Sequence, residues 1–273
     1  MNRDEPILTQ DDHDVYRMLT MVARARASMA IYRFKVDLSR HHIKVMLKDA
    51  PDAVISWSAG KDSTAMAHLC ASCGVREAIS VKDDLDFPGE EEYIIRYAKE
   101  WGISLEILRP PFSLQEWLSK CGAEAGDDLH SRATAFSQEG FYRLLAADKL
   151  RRGYPGVYLG LRAAESKGRK MNYSVRGALY DAIRDGTKEP TCTPIVHWED
   201  LDVWAYLISN GIDPLPVYRC LALHHRASPG RLRKSWWVPG SASQDGQVIW
   251  LRHYWPSLYR RLLTIMPEAS QFA

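Results

Sequence analysis

Residues 56–64 read SWSAGKDST and follow the apolar residues 53–55. A short apolar strand that leads into small residues, a lysine and hydroxyl side chains predicts an anion-binding turn at the start of a helix. The stretch does not match the common GxxxxGK[ST] phosphate loop, because Asp62 follows Lys61 and Ile55 stands where that loop has its first glycine. We therefore expect a phosphate-binding loop of a different kind.

The composition predicts a globular protein. A chain of 273 residues that is 46% hydrophobic can bury a sizeable core, as one domain with an extension or as two small domains. The net charge of +2 by itself indicates neither a nucleic-acid nor a membrane partner. The charged N-terminus lacks the apolar core of a signal peptide, and no apolar run approaches the roughly 18 residues of a membrane span. We expect a cytoplasmic protein with no membrane contact.

Short apolar runs alternate with amphipathic segments through the middle of the chain. The periodicity predicts helices over 64–73 and after Pro88. It predicts strands over 53–57, 78–81, 104–108 and 157–161. Helices that separate successive strands indicate βαβ units and a parallel sheet with right-handed crossovers.

The loops that follow three of these strands carry the polar residues of interest. In a parallel sheet, ligands lie outside the carboxyl ends of the strands. We therefore expect the segments 56–64, 82–88 and 160–169 to meet at one edge of the sheet.

The pattern divides the chain into three parts. The pattern predicts a helical N-terminal extension over residues 1–48 and an α/β domain over residues 49–218. It predicts a C-terminal helical extension with a basic and aromatic loop over residues 219–273. The closing helix is expected to bury Trp250, Tyr254, Leu258 and Leu262.

Two polar stretches carry less specific signals. Residues 123–135 (AEAGDDLHSRATA) predict a mobile loop near the site. Residues 224–237 (HHRASPGRLRKSWW) combine basic and aromatic side chains, a combination that suits a nucleic-acid or partner-protein contact. We favour the alternative, a solvated loop followed by two packing tryptophans.

Four stretches resemble, in order, the motifs of one known family. SWSAGKDST is similar to the SGGxDS loop of the PP-loop ATP-pyrophosphatase (adenine nucleotide α-hydrolase-like) superfamily. DLDFPGEEEYI, GLRAAESKGRK and PIVHWEDLDVWAYLISNGIDPLPVY resemble motifs of its phosphoadenylyl-sulfate (PAPS) reductase branch. The resemblance covers about residues 53–218. It implies a Rossmann-like parallel sheet with flanking helices, the HUP-type adenine nucleotide α-hydrolase fold.

The resemblance also implies that ATP and Mg²⁺ bind at this loop. A Ser/Gly turn at a helix N-terminus suits the two terminal phosphates of ATP, which leaves the α-phosphate open to a nucleophile and pyrophosphate as the leaving group. By resemblance, Ser58 and Ser63 hydrogen-bond phosphate oxygens and Asp62 places the metal ion. Asp83 or Asp84 takes over the contact of the family's usual aspartate, whose position is held by Lys82.

The expected site residues form two overlapping sets. Arg162 and Arg169 can make charge-assisted bonds to the charge that develops on the phosphates, and Glu165 can orient either arginine. The catalytic set is Lys61, Asp62, Arg162 and Arg169, with Asp62 as metal ligand. The nucleotide-binding set is Ser58, Ala59, Gly60, Lys61, Asp62, Ser63, Asp83, Asp84, Phe87, Gly160, Arg162 and Glu165.

Simpler interpretations stand beside these assignments. The SAGKDS turn can be only a capped helix start, and Arg162 with Glu165 can be a surface ion pair. We expect Asp62 at an exposed loop end. Ala59 replaces the first glycine of the family's pair, which the fold can accept if φ is negative there. We interpret Trp198, Asp202 and Trp204 as packing residues, with Asp202 near the N-terminus of its helix.

The cysteines argue against one branch of the family. Its sulfonucleotide reductases use a cysteine in a C-terminal ECGLH-type tail, whereas this chain has no cysteine after Cys220. Cys70 and Cys73 fall on the apolar face of a helix, and we expect no iron–sulfur cluster.

Three functions remain open from the sequence. The first is an enzyme that acts at the α-phosphate of ATP and activates a substrate for sulfur transfer or nucleic-acid modification. The alternatives are a true PAPS reductase and a nucleotide-dependent partner protein without turnover.

Overall fold

The structure is a computed structural model that describes residues 5–82, 86–110, 113, 143–153, 155–184, 186–221, 247–265, 267 and 270. The expected contacts Asp83 and Asp84 lie outside the described residues, and so do the segments 123–135 and 224–237.

A six-stranded sheet forms the centre of the protein, in the order β3-β2-β1-β4-β6-β5. The strands are β1 Val54–Ser56, β2 Glu77–Val81, β3 Ser104–Leu108, β4 Val157–Leu159, β5 Leu179–Arg184 and β6 Thr187–Cys192. All neighbouring pairs are parallel except β5 with β6. The predicted parallel sheet with flanking helices is therefore confirmed, and the antiparallel β5–β6 hairpin at its edge is an addition that the periodicity did not predict.

The helices account for most of the remaining described chain. They are α1 Gln10–Ala27, α2 Ala30–Asp49, α3 Lys61–Ser72, α4 Glu90–Trp101, α5 Arg143–Arg151, α6 Lys167–Arg176, α7 Asp200–Ser209, α8 Gln247–Tyr254 and α9 Pro256–Ile265.

Both terminal regions are helical, as predicted, but each is broken into two helices. The N-terminal helices separate at Ser28 and Met29. The C-terminal helices separate at Trp255, because the ring of Pro256 cannot continue a preceding helix. The four residues expected to face the core there are all buried: Trp250, Tyr254, Leu258 and Leu262.

The terminal regions also contact each other. Tyr254 donates its hydroxyl hydrogen to Asp12 Oδ1 at 2.7 Å. Asp12 lies in the first turn of α1, where it forms a capping box with Thr9. The N-terminal and C-terminal helices are thus tied to one another beside the sheet.

Strand β1 lies between β2 and β4, where the chain changes direction across the sheet. Ser56 pairs with Leu159, so the loops after these two strands begin side by side at the carboxyl edge. Such a switch point creates a crevice in which α/β proteins bind ligands. The loop after β1 and the loop after β4 are the two segments whose motifs carry the most polar residues.

Gly160 allows these two loops to approach. A Cβ atom at this position would lie 2.7 Å from Ser63 Cα and 2.9 Å from Ser63 N, both of which are backbone atoms that cannot move independently of α3. Only glycine fits without a shift of the helix N-terminus.

We predict that Gly160→Ala lowers the free energy of unfolding by roughly 1–3 kcal/mol, the usual cost of overpacking. Gly168→Ala is the matched control, because Gly168 is exposed in α6 and an added Cβ would meet nothing within 4 Å. It should stabilise the protein slightly. Urea unfolding of both variants measures the difference, and equal midpoints would contradict the close approach.

Candidate nucleotide site

The turn between β1 and α3 contains a strained residue. Ala59 has a φ of 62°, in the left-handed region, and is the sole non-glycine residue with a positive φ in the described part of the chain. The condition that φ be negative at Ala59 is therefore not met. A left-handed conformation costs an L-residue roughly 1–2 kcal/mol. Ala59 is buried, so the packing around it holds this conformation in place.

Side-chain hydrogen bonds fix the shape of the turn. Trp57 Nε1 donates to Thr64 Oγ1 at 3.1 Å, which ties the end of β1 to the first turn of α3. The hydroxyls of Ser58 and Ser63 lie 3.0 Å apart and share a hydrogen bond. The two serines expected to contact phosphate therefore converge on one side of the turn.

The N-terminus of α3 points out of this turn. Gly60 is the N-cap, and the backbone N–H of Lys61 donates to the hydroxyl of Tyr218 at 3.0 Å. The next N–H groups, of Asp62 and Ser63, have no acceptor within their own helix. Together with the helix dipole they form a positive end suited to an anion.

Four charged side chains form a cluster beside this helix end. Arg162 Nε donates to Asp62 Oδ1 at 2.5 Å, and Arg162 Nη2 donates to Asp200 Oδ1. Lys61 Nζ lies 2.7 Å from Asp62 Oδ2 and 3.5 Å from Asp200 Oδ1. Lys61 and Arg162 are each 2% exposed. The cluster of Lys61, Asp62, Arg162 and Asp200 thus joins α3, the loop after β4 and α7.

This arrangement changes two of the simpler interpretations. Arg162 is buried, so it does not form a surface ion pair with Glu165. Asp62 does not lie at an exposed loop end, since it is in the first turn of α3 with a side chain that is 20% exposed. Both residues were predicted from the loop motifs, and the structure brings them into direct contact.

Glu165 organises the rim of the site. Its Oε2 accepts the backbone N–H of Arg162 at 2.9 Å and also pairs with the guanidinium of Arg169. Arg169 is 40% exposed, and its backbone N–H donates to Ser166 Oγ, the N-cap of α6. Glu165 therefore orients the side chain of Arg169, while it holds Arg162 only through the main chain.

The cluster keeps Asp62 and Arg162 ionised. Burial acts to raise the pKa of Asp62, but the charges of Lys61 and Arg162 outweigh it and hold the pKa below its ordinary value. Burial acts to lower the pKa of Arg162, and the neighbouring carboxylates, Asp62 first and then Asp200, raise it instead. Both groups are charged across the physiological pH range.

One donor of the cluster has no acceptor. Arg162 Nη1 is buried and makes no hydrogen bond to the described residues. Leaving a buried donor unpaired costs roughly 1–3 kcal/mol or more for a charged group. An anion at the N-terminus of α3 would supply an acceptor, so the residues present fit a phosphate-containing ligand.

The fit to a metal ion is weaker. Each carboxylate oxygen of Asp62, the expected metal ligand, already accepts from a cationic side chain. Among the described residues, no group of three or more His, Cys, Asp or Glu side chains is arranged to hold a metal ion. Mg²⁺ usually binds through one or two carboxylates together with the phosphates of its nucleotide.

The expected contact Phe87 and the neighbouring Lys82 have structural roles at the β2 side of the edge. The ring of Phe87 packs against Trp255, with 4.7 Å between centroids. Lys82, at the position of the family's usual aspartate, is buried and lies 2.8 Å from Glu90 Oε2 and 3.4 Å from Asp86 Oδ2.

The sequence analysis missed Asp200 and Tyr218. Both lie in the stretch PIVHWEDLDVWAYLISNGIDPLPVY, which we had interpreted mainly as packing. That interpretation is confirmed for Trp198 and Trp204, which are 1% exposed. The signal that could have identified Asp200 is its spacing from Asp202 at a helix start. Side chains two residues apart on a helix do not face each other, so the two aspartates lie in different environments.

Three of the four described cysteines are poorly suited to act as a reactive thiol, and the fourth, Cys73, is partly exposed. Cys70, Cys192 and Cys220 are buried, and burial raises the pKa of each, to about 12 for Cys192. A thiol with a raised pKa is a poor nucleophile at neutral pH.

Comparison with known proteins identifies the family. Residues 52–220 match the profile of the phosphoadenosine phosphosulfate reductase domain. The chain belongs to this family. The family resemblance found in the four sequence motifs is thereby confirmed.

Curated relatives of the chain are sulfate adenylyltransferase subunits. Subunit 2 of this enzyme from Pseudoalteromonas translucida is 25% identical over 207 residues, which cover 67% of each chain. Subunit 2 from Aeromonas salmonicida is 24% identical over 202 residues, which cover 66% of this chain and 63% of that protein. The chain thus spans about two thirds of the length of these relatives.

A solved structure supports the fold. The PAPS reductase of Candida auris, in a phosphate complex, superposes with a TM-score of 0.50 at 14% identity, over 76% of this chain and 90% of that one. The match confirms the predicted Rossmann-like fold. Within the described residues, none of the helices has the length and apolar character needed to cross a bilayer.

We predict opposite effects of two substitutions at Ala59. Ala59→Gly should raise the free energy of unfolding, by up to about 1 kcal/mol, because glycine adopts a positive φ without strain. Ala59→Val should lower it by more than 1 kcal/mol, approximately, because a β-branched residue is strongly disfavoured there. Thermal unfolding compares the two, and a Val variant as stable as the parent would show that the turn is not strained.

Proposed function

We propose that this protein is an adenylyl-transferring enzyme that acts at the α-phosphate of ATP and releases pyrophosphate. The observation that carries the proposal is the buried Arg162, held between Asp62 and Asp200 with one donor unpaired, at the N-terminus of α3. Family membership and the adenylyltransferase relatives support the same reaction class.

The geometry suits binding of the terminal phosphates at α3. The N–H groups of the first turn and the hydroxyls of Ser58 and Ser63 face the crevice beside β4 and can donate to phosphate oxygens. Placing the β- and γ-phosphates there leaves the α-phosphorus open to attack from the rim. Mg²⁺, when bound with the nucleotide, would reduce the negative charge of the phosphates, with Asp62 as the candidate carboxylate.

The chemical step is a displacement at phosphorus. An oxygen of the acceptor forms a bond to the α-phosphorus, and the bond from that phosphorus to the bridging oxygen breaks. Pyrophosphate leaves with the electron pair, so negative charge develops on its oxygens. Arg162 and Lys61 are fixed cations in a buried setting and stabilise this charge without rearrangement. Arg169 at the rim is placed to contact the acceptor or the α-phosphate.

We propose sulfate as the acceptor. The curated relatives are named for this reaction, and sulfate is an oxyanion that an exposed arginine such as Arg169 can bind. Because those relatives are subunits, we further propose that the protein works with a second subunit. The nucleic-acid contact expected at 224–237 falls outside the described residues and is not supported by the relatives.

A sulfonucleotide reductase is disfavoured by the thiols. Reduction would need a thiolate that attacks the sulfonucleotide, and the three buried cysteines have raised pKa values.

We predict that the protein binds ATP and, with sulfate, exchanges labelled pyrophosphate into ATP. Exchange requires reversible cleavage between the α- and β-phosphates, so it reports adenylyl transfer directly. A reaction without sulfate is the control for hydrolysis. ADP and phosphate as the main products would contradict attack at the α-phosphate.

We predict that Arg162→Lys lowers kcat by about 10²–10³-fold, the usual effect of losing one preorganised donor, with a smaller change in ATP affinity. Lysine keeps the charge but replaces the planar guanidinium, whose Nε and Nη2 reach Asp62 and Asp200 separately, with donors that all lie on one nitrogen. Arg109→Lys is the matched control, since Arg109 forms an exposed ion pair with Glu91. Equal kcat values for the parent and both variants would exclude Arg162 from the reaction.

A further inference from the structure

The first turn of α7 carries two carboxylates in opposite environments. Asp200 is 36% exposed at its side chain and faces the cluster with Arg162 and Lys61. Asp202, two residues later, is fully buried on another side of the helix. The same helical turn therefore contributes to the nucleotide site and to a separate internal ion cluster.

The N-terminal helices supply the partners of Asp202. Arg26, in the last turn of α1, donates from Nε to Asp202 Oδ1 at 2.6 Å. Lys35, in α2, lies 2.6 Å from Asp202 Oδ2. The same Oδ2 accepts the backbone N–H of Glu199 at 2.8 Å. Both oxygens of one carboxylate are thus occupied by groups from three different segments.

The hydrogen bonds to Asp202 are charge-assisted and largely shielded from water. The side chains of Arg26 and Lys35 are only 18% and 15% exposed. Burial acts to raise the pKa of Asp202, and the hydrogen bonds from Arg26 and Lys35 lower it below its ordinary value. Helix capping alone needs one acceptor and no cation. Arg26 and Lys35 pair with the carboxylate of Asp202, so this carboxylate does more than cap α7.

We propose that Arg26, Lys35 and Asp202 form a positioning cluster through which α1 and α2 fix the rotation of α7 and so hold Asp200 against Arg162 and Lys61. This inference rests on the proposed function only in the experiment that measures kcat. The position of Asp200 depends on this cluster. Its side chain is partly exposed, and the two cations that it contacts, Lys61 and Arg162, are the groups that it helps to orient.

A second set of contacts makes the coupling between α1 and α7 direct. The ring of Tyr16 in α1 meets Trp204 in α7 edge-on, with 6.3 Å between centroids. Trp204 in turn meets the ring of Tyr218, whose hydroxyl accepts the backbone N–H of Lys61. A shift of α1 would therefore reach the start of α3 through packed rings as well as through Asp202.

Arg26→Gln tests the proposal in the full-length protein. It removes one cation but leaves the Glu199 cap and Lys35 in place. We expect kcat for pyrophosphate exchange to fall roughly tenfold, since small displacements of catalytic groups have effects of this size or larger, while KM for ATP changes less than about twofold. Arg24→Gln, an exposed arginine of the same helix, is the control and should match the parent. Arg26→Lys should recover part of the loss.

A double-mutant cycle separates positioning from general stability. If Arg26 acts through Asp200, Arg26→Gln should have little further effect on kcat in an Asp200→Asn background. Equal effects in both backgrounds would overturn the proposal, and so would a loss in the Arg24→Gln control equal to that in Arg26→Gln.

The same cycle can be measured by the Tm of the ligand-free protein, which requires neither ATP binding nor turnover. If the parent binds ATP without exchanging pyrophosphate, the proposed function fails while the coupling of Arg26 to Asp200 is still decided. Additive Tm effects would then overturn the positioning cluster.

Discussion

The bridge that Arg162 makes between Asp62 and Asp200 is the interaction on which the site depends. Its carboxylate partners come from the helix after β1 and from α7, and the arginine itself follows β4. One planar guanidinium therefore joins three segments that are far apart in the chain, across the switch point of the sheet. Arginine suits this geometry, because its Nε and Nη2 donate in two fixed directions, whereas the donors of a lysine all lie on one nitrogen.

A buried ion cluster of this kind is a poor source of stability. Removing the charges of Lys61 and Arg162 from water costs several kcal/mol per ion, which their attraction to the two carboxylates only partly offsets. The cluster also leaves Arg162 Nη1 without an acceptor, and the adjacent turn holds Ala59 at a positive φ. The unpaired donor of Arg162 and the positive φ of Ala59 are two neighbouring features that each lower the stability of the free protein. Such departures are expected where a site is shaped for a ligand and not for the free protein.

The elements that follow from local periodicity were predictable. Strands β1 to β4 and helix α3 appear close to their expected bounds because their apolar residues recur at strand or helix spacing. The β5–β6 hairpin was missed because TKEPTC carries a proline and charged residues, which read as a loop. The partners of Asp200 depend on tertiary contacts with Arg162, 38 residues earlier, and Lys61, 139 residues earlier. The φ of Ala59 depends on the packing around it. No local pattern contains that information.

Lys82 stands where the family usually has an aspartate, and neighbouring carboxylates neutralise its charge. A buried lysine at the end of β2 would be costly alone, but Glu90 at the start of α4 and the neighbouring Asp86 both pair with it. The ammonium group is thereby committed to holding α4 against β2. Among the described residues, the cations of the candidate site are Lys61 and Arg162, on the other side of β1. The proposed function accordingly assigns the phosphates of the nucleotide to the β4 side of the crevice.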